Sequence, residues 1–201
     1  MAAFSELDDL RRALGRPRPD DQARARPAET AAVAAVVRAG GAGAEMLFIR
    51  RAERPGDPWS GDVAFPGGRV DAGDATALAA AVREAREELA LDLERDAAFL
   101  GPLPPARTHL QRPTGPLWVA PFVFELLAAP ALVPNEEVRE ALWVPLAFLA
   151  DPDNRDRFVW TRLGAALEMP CVRWDGHTIW GLTLRILDDL LGLVEPRADA
   201  R

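Results

Sequence analysis

The sequence contains no lysine: its 24 basic residues are all arginine and face 31 acidic ones, leaving a formal net charge of -7. An acidic balance disfavours duplex nucleic acid or an anionic membrane surface as a partner, so a polyanionic ligand must be received by a metal ion or a local arginine cluster. Cysteine occurs once, at Cys171. One thiol makes neither an internal disulfide nor a cysteine cage for zinc, and its apolar neighbours Leu167, Met169, Val172 and Trp174 predict a buried structural thiol in a reducing compartment. Histidine is nearly absent, and His109 and His177 each sit among turn-forming or polar residues that predict satisfied loop histidines. No apolar run reaches the roughly 20 residues that span a bilayer, and the first eight residues show no basic start followed by an apolar stretch, so a cytoplasmic, unexported chain is expected. What remains, 49% hydrophobic and 27% charged over 201 residues, suits one soluble domain with a sizeable core.

Along the chain, residues 5–14 predict an amphipathic helix with Ser5 as N-cap and Leu7, Leu10 and Leu14 on one stripe. A linker rich in proline and arginine follows to Pro27. Strands are expected over 31–37 and 46–50 across a glycine turn, then around 98–103, 117–125 and 141–144. Helices are expected over 74–89, with Asp74 as N-cap, and over 178–193. The mixed order predicts helices covering both faces of a mixed β-sheet, an α/β/α sandwich. The domain division is read as 1–27 helix and linker, 28–195 main domain and 196–201 tail.

The segment Arg83-Glu84-Ala85-Arg86-Glu87-Glu88-Leu89 is the most informative. At about 100° per residue Glu84, Glu87 and Glu88 share one arc, and Leu78, Val82, Ala85 and Leu89 the opposite one. Crowded carboxylates without nearby histidine or cysteine suit Mg²⁺ or Mn²⁺, whereas the plainer alternative is a solvated acidic face partnered by Arg83 and Arg86. Upstream, Phe65-Pro66-Gly67-Gly68 lets backbone approach a ligand closely and aim a carbonyl at a metal.

Together these residues resemble the Nudix hydrolase box, G-x5-E-x7-R-E-U-x-E-E-x-G-U with U aliphatic, over Gly68 to Leu91. Asp74 stands at the first glutamate, one extra residue separates it from Arg83, Ala85 fills the aliphatic site, and Ala90 replaces the closing glycine. The resemblance implies Arg83, Glu84, Glu87 and Glu88 as catalytic residues, with Gly68, Glu84, Glu87 and Glu88 as ligands of Mg²⁺ or Mn²⁺ and Arg83 orienting a glutamate. Arg51, Ala52, Gly61 and Phe65 to Gly68 are similar to the motif of the coenzyme A pyrophosphatase branch, but Gly56 or Asp57 stands where that branch has its second arginine, leaving Arg54 as the nearby substitute. Thr178 to Thr183 also resembles the start of that branch's C-terminal helix.

Arg51, Arg54, Trp59, Gly67 and Gly68 are therefore the expected substrate contacts, the arginines through bidentate bonds to phosphate. Trp59 stacks on an adenine or packs as a lid, and Glu136 or Glu137 supplies a further acid near the metal or a solvated turn. The expected activity is metal-dependent hydrolysis of a diphosphate bond, in coenzyme A or an acyl-coenzyme A by resemblance. ADP-ribose, other nucleotides, or a non-catalytic nucleotide-binding module are the alternatives. A homodimer is implied by the family alone.

Overall fold

The computed structural model describes residues 2–15, 30–56, 59–108, 117–162 and 165–194. His109 and the linker after Gly15 lie outside them. The chain runs α1 (Ala2–Leu14), β1 (Thr30–Ala39), β2 (Ala44–Arg51), β3 (Val63–Ala64), β4 (Gly67–Arg69), α2 (Ala77–Leu89), α3 (Leu93–Asp96), β5 (Ala97–Pro102), β6 (Ala106–Arg107), β7 (Trp118–Leu126), β8 (Val138–Pro145), α4 (Leu146–Ala150), β9 (Arg155–Arg162), β10 (Ala165–Trp174), β11 (His177–Trp180) and α5 (Gly181–Val194).

β1 lies at the centre of the larger sheet because its side chains are small and apolar on both faces. It runs parallel to β7 and antiparallel to β2 and β4, giving the path β3-β2-β1-β7-β5 with β8 beside β2 and β6 beside β7. Its alternation divides the core. Ala32, Ala34 and Val36 pack with Leu47 and Ile49 of β2 against Ala77, Ala81 and Leu89 of α2. On the other face Ala35 and Val37 pack with Met46 and Phe48 against Leu7 and Leu10 of α1 and Leu187 and Leu190 of α5. This is the expected α/β/α sandwich on a mixed sheet, and Cys171 is buried in it as expected.

Several local expectations are corrected. The first helix begins at Ala2, which places Ser5 inside it. α1 is docked on the core: the Glu6 carboxylate accepts from the Ala44 N–H at 2.9 Å, and Arg11 Nε donates to the buried Glu125 at 2.7 Å. α2 starts at Ala77 and is capped by Thr76, whose hydroxyl accepts from the Ala79 N–H at 3.1 Å, because Asp74 is engaged elsewhere. Residues 178–180 extend a strand and the last helix begins at Gly181. Finally, β9, β10 and β11 form a second, three-stranded antiparallel sheet that the sequence reading did not contain.

Candidate active site

The carboxylates of α2 occupy three different environments. Glu87 is exposed at the surface, Glu84 is half-buried, and Glu88 is 3% exposed on the side of the helix turned to the sheet. Glu88 is held there by β4: the Gly67 N–H donates to its Oε2 at 2.8 Å. Gly67 is required at this point. A Cβ on it would lie 2.6 Å from the Val33 Cα, and its φ of 151° is a conformation other residues rarely adopt. A Cβ on Gly68 would lie 2.6 Å from the carboxyl carbon of Glu84, so the glycine pair lets β4 close on two of the three acids.

Arg83 is the hub of the acidic face. Its Nε and Nη2 donate to the two oxygens of Asp74, each at 3.0 Å, its Nη1 reaches Glu84 at 3.0 Å and Glu87 at 2.9 Å, and its Nη2 also reaches the Arg69 carbonyl at 3.0 Å. Asp74 is turned back to receive it by a tight turn in which Asp71 N–H donates to Asp74 Oδ2 at 2.8 Å. Asp74 thus keeps its reach to Arg83 although one extra residue separates them. The paired guanidinium holds the Asp74 carboxyl below its ordinary range.

Burial dominates the other two acids that shift. It pushes the Glu84 carboxyl upward against the opposing pull of Arg83. It pushes Glu88 up to about 8, the Gly67 N–H and the charge of Arg51 opposing, and the charges of Glu84 and Glu137 adding. Glu137 reaches this face because the segment before β8 is laid along the end of α2: the Asn135 N–H donates to the Glu88 carbonyl at 2.9 Å, and the Ala52 N–H to the Glu137 carbonyl at 2.8 Å. Both Glu136 and Glu137 are exposed, and Glu137 pairs with Arg54 at 3.0 Å. Of the two acids, Glu137 is the one brought to the site; the sequence signal was the Glu136-Glu137 pair, and only the fold distinguishes them.

Arg51 and Arg50 part company at the end of β2. Leu47 and Ile49 belong to the α2 face and Met46 and Phe48 to the other, so the alternation sends Arg51 toward Glu88 and Arg50 away from it. Arg50 and Trp180 instead line a cavity of about 470 Å³ between β3 and the second sheet, together with Phe158, Trp160, Asp62 and His177. Trp180, expected inside the helix over 178–193, is therefore a cavity residue on β11. Trp59 is half-buried in the preceding loop and is not a lining residue of the cavity.

The structure thus brings Arg51, Arg54, Gly67, Gly68, Arg83, Glu84, Glu87 and Glu88 into one region, while Trp59 lies in the loop between β2 and β3. Among the described residues no three acidic or histidine side chains are arranged to hold a metal ion, because Glu84 and Glu87 turn to Arg83 while Glu88 turns to Gly67. The donor set nevertheless fits a hard divalent cation, with three carboxylates on two helical turns and a glycine strand closed over them.

Comparison with known proteins gives this geometry a family context. The NUDIX domain model matches residues 28–163. The human mitochondrial coenzyme A diphosphatase NUDT8 is 33% identical over 177 residues, covering 86% of this chain and 72% of that protein. Its mouse counterpart is 30% identical over 175 residues, covering 86% and 81%. Among solved structures, the C. elegans Ap4A hydrolase binary complex matches with a TM-score of 0.50 at 20% identity, covering 60% of this chain and 82% of that one. A MutT/nudix family protein from Enterococcus faecalis matches with 0.52 at 14% identity, covering 94% and 68%. These two likenesses support the fold. Among the described residues, no helix is long and apolar enough to cross a membrane.

Proposed function

This chain belongs to the NUDIX family of pyrophosphohydrolases, acting on phosphoric anhydride bonds, and from that premise we propose that its substrate is coenzyme A or an acyl-coenzyme A. The bond cut is the diphosphate, giving 3′,5′-ADP and 4′-phosphopantetheine or its acyl form. The observation that carries the reaction is the gathering of Glu84, Glu87 and Glu88 under Arg83 and the Gly67-Gly68 strand, with Arg51 beside Glu88. The likeness to relatives named coenzyme A diphosphatases supports the choice of substrate.

On this reading Gly68, Glu84, Glu87 and Glu88 hold Mg²⁺ or Mn²⁺, and Glu84 and Glu87 must exchange Arg83 for the ion. Bound there, a divalent cation neutralises phosphate oxygens and lowers the pKa of an attacking water. Arg83 stays anchored by Asp74 and the Arg69 carbonyl, ready to re-pair whichever carboxylate is released. Arg51 and Arg54 offer guanidinium donors to the phosphoryl oxygens, Arg54 standing in for the arginine absent at Gly56. On the same reading Glu88 or Glu137, the buried and the exposed acid at this face, takes the proton of the attacking water.

That missing arginine favours a second substrate class, ADP-ribose or other nucleoside diphosphates. The test is a panel of coenzyme A, acyl-coenzyme A, ADP-ribose and dinucleotides incubated with Mg²⁺ or Mn²⁺, with products identified by mass spectrometry. Coenzyme A or its acyl form is expected to turn over fastest, and Glu88→Gln to lose about 100-fold or more of that rate while remaining folded. Faster turnover of ADP-ribose or dinucleotides overturns the substrate assignment, and undiminished turnover by Glu88→Gln overturns the site. The same reading carries a homodimer, checked by light scattering.

A further inference from the structure

The hydrolysis described above leaves the cavity on the other face of the sheet without a role. Its wall is aromatic: Phe158 and Trp180 meet edge to face with ring centroids 5.2 Å apart, and Trp160 and Trp180 lie 5.6 Å apart at 48°. All three rings are half-buried and line the 470 Å³ space, which falls in the range of about 300–1,000 Å³ typical of small-molecule sites. Trp180 is fixed in place by its indole N–H, which donates to Asp62 Oδ1 at 3.1 Å. Beneath it the Thr183 hydroxyl donates to the Val63 carbonyl at 3.1 Å, tying the start of α5 to β3.

The charges around the cavity decide between two kinds of occupant. Arg50 and His177 are cation and potential cation, but both approach the same carboxylate, Glu140, at 3.4 and 3.8 Å, and Arg50 is also 3.7 Å from Glu53. Arg50 is thus shared between two carboxylates and Asp62 adds an acid to the lining itself, so a phosphate gains little here. Half-buried aromatic rings beside the Asp62 carboxylate suit a flat, neutral group that donates hydrogen bonds, such as an aminopurine.

The cavity and the acidic face both adjoin the end of β2. Arg50 lines one and Arg51 serves the other, and their Cα atoms are about 3.8 Å apart as consecutive residues. The loop between β2 and β3 spans the same two places, with Arg54 on Glu137 at one side and Ser60 and Asp62 in the cavity at the other, joined by the Arg54 N–H to Ser60 Oγ bond of 2.8 Å.

We propose that this cavity seats the purine base of the substrate, stacked on Trp160 and Trp180 with its exocyclic amino group donating to Asp62, while the diphosphate passes over the end of β2 to Arg51 and the α2 carboxylates. The identity of the ligand rests on the diphosphate-hydrolase reading; the site itself rests on the cavity.

Adenosine binding to the full chain, followed by tryptophan fluorescence, tests the site without requiring turnover. Wild type is expected to bind adenosine about tenfold more tightly than inosine, which carries a carbonyl in place of the amine. Trp160→Ala should weaken adenosine about tenfold, within what one base-aromatic stack contributes. It should raise KM for coenzyme A similarly with kcat within about twofold, since a lost stack in both ground and transition states acts on KM. Asp62→Asn should abolish the preference for adenosine over inosine, and it decides the matter if Trp160→Ala fails to fold. Glu88→Gln should bind adenosine as wild type does. No adenosine binding by wild type, or binding that is equal in wild type, Trp160→Ala and Asp62→Asn, overturns the inference even if hydrolysis is vigorous. Binding that follows the expected pattern in a protein that cleaves no diphosphate supports the cavity assignment and overturns the hydrolase reading alone.

Discussion

Glu88 shows how a single residue comes to differ from its neighbours on the same helical arc. Spacing alone groups it with Glu84 and Glu87, and that grouping was legible because i, i+3 and i+4 geometry is local. Its burial was not legible, since it depends on β4 arriving from upstream and on Arg51 at the end of β2. The consequence is a proton linkage. Glu88 titrates near 8 in the folded chain against an ordinary value of 4.5, so between those values the folded state holds a proton that the unfolded state has released. This contribution to stability is fully present below 4.5 and is lost as pH rises through about 8. In the presence of a chelator, the thermal midpoint of wild type relative to Glu88→Gln is expected to fall between about pH 5.5 and about pH 8.5. A constant difference across that range would show that Glu88 titrates as an exposed carboxylate.

At the scale of elements, α2 carries both the success and the failures of reading from sequence. Its register, acidic face and partner Arg83 were all legible from one heptad of residues. Its start was not: Asp74 and Thr76 are both good caps, and only the turn at Asp71 that commits Asp74 to Arg83 leaves Thr76 to cap the helix. Its end explains the departure from the family box. Ala90 adopts φ 54°, the left-handed cap conformation that glycine takes at little cost, and its N–H closes on the Ala85 and Arg86 carbonyls. Ala90→Gly is therefore expected to stabilise the protein by about 1 kcal/mol, read as a higher urea midpoint with an unchanged slope. A lower midpoint would mean that Ala90 contributes packing its half-exposed end of the helix does not suggest. The second sheet escaped the sequence reading for a related reason: β9 and β10 interleave exposed charges such as Arg157 and Glu168 with large apolar residues, and Pro170 interrupts the pattern of a strand.

The whole molecule is a sandwich whose sheet carries the α2 carboxylates on one face and the aromatic cavity on the other, with Arg51 and Arg50 of β2 turned one to each. Fold class was legible from the alternation of strands and helices, because each small-residue strand needs cover on both sides. The role of α1 was less so. Leu7 and Leu10 are 1% and 0% exposed within the core shared with α5, although the helix precedes the region matched by the family model. Leu10→Ala is expected to cost about 2–5 kcal/mol in chemical denaturation, as for other buried leucines. A cost near zero would show that α1 is not docked in solution. The account as a whole depends on Glu84 and Glu88 sharing a divalent cation, and titration of Mn²⁺ followed by its free-ion paramagnetic resonance signal tests this most directly. Wild type should deplete the signal, and Glu84→Gln and Glu88→Gln should each weaken binding about tenfold or more, as loss of a charged ligand demands. Mn²⁺ binding by both variants with wild-type affinity would contradict it.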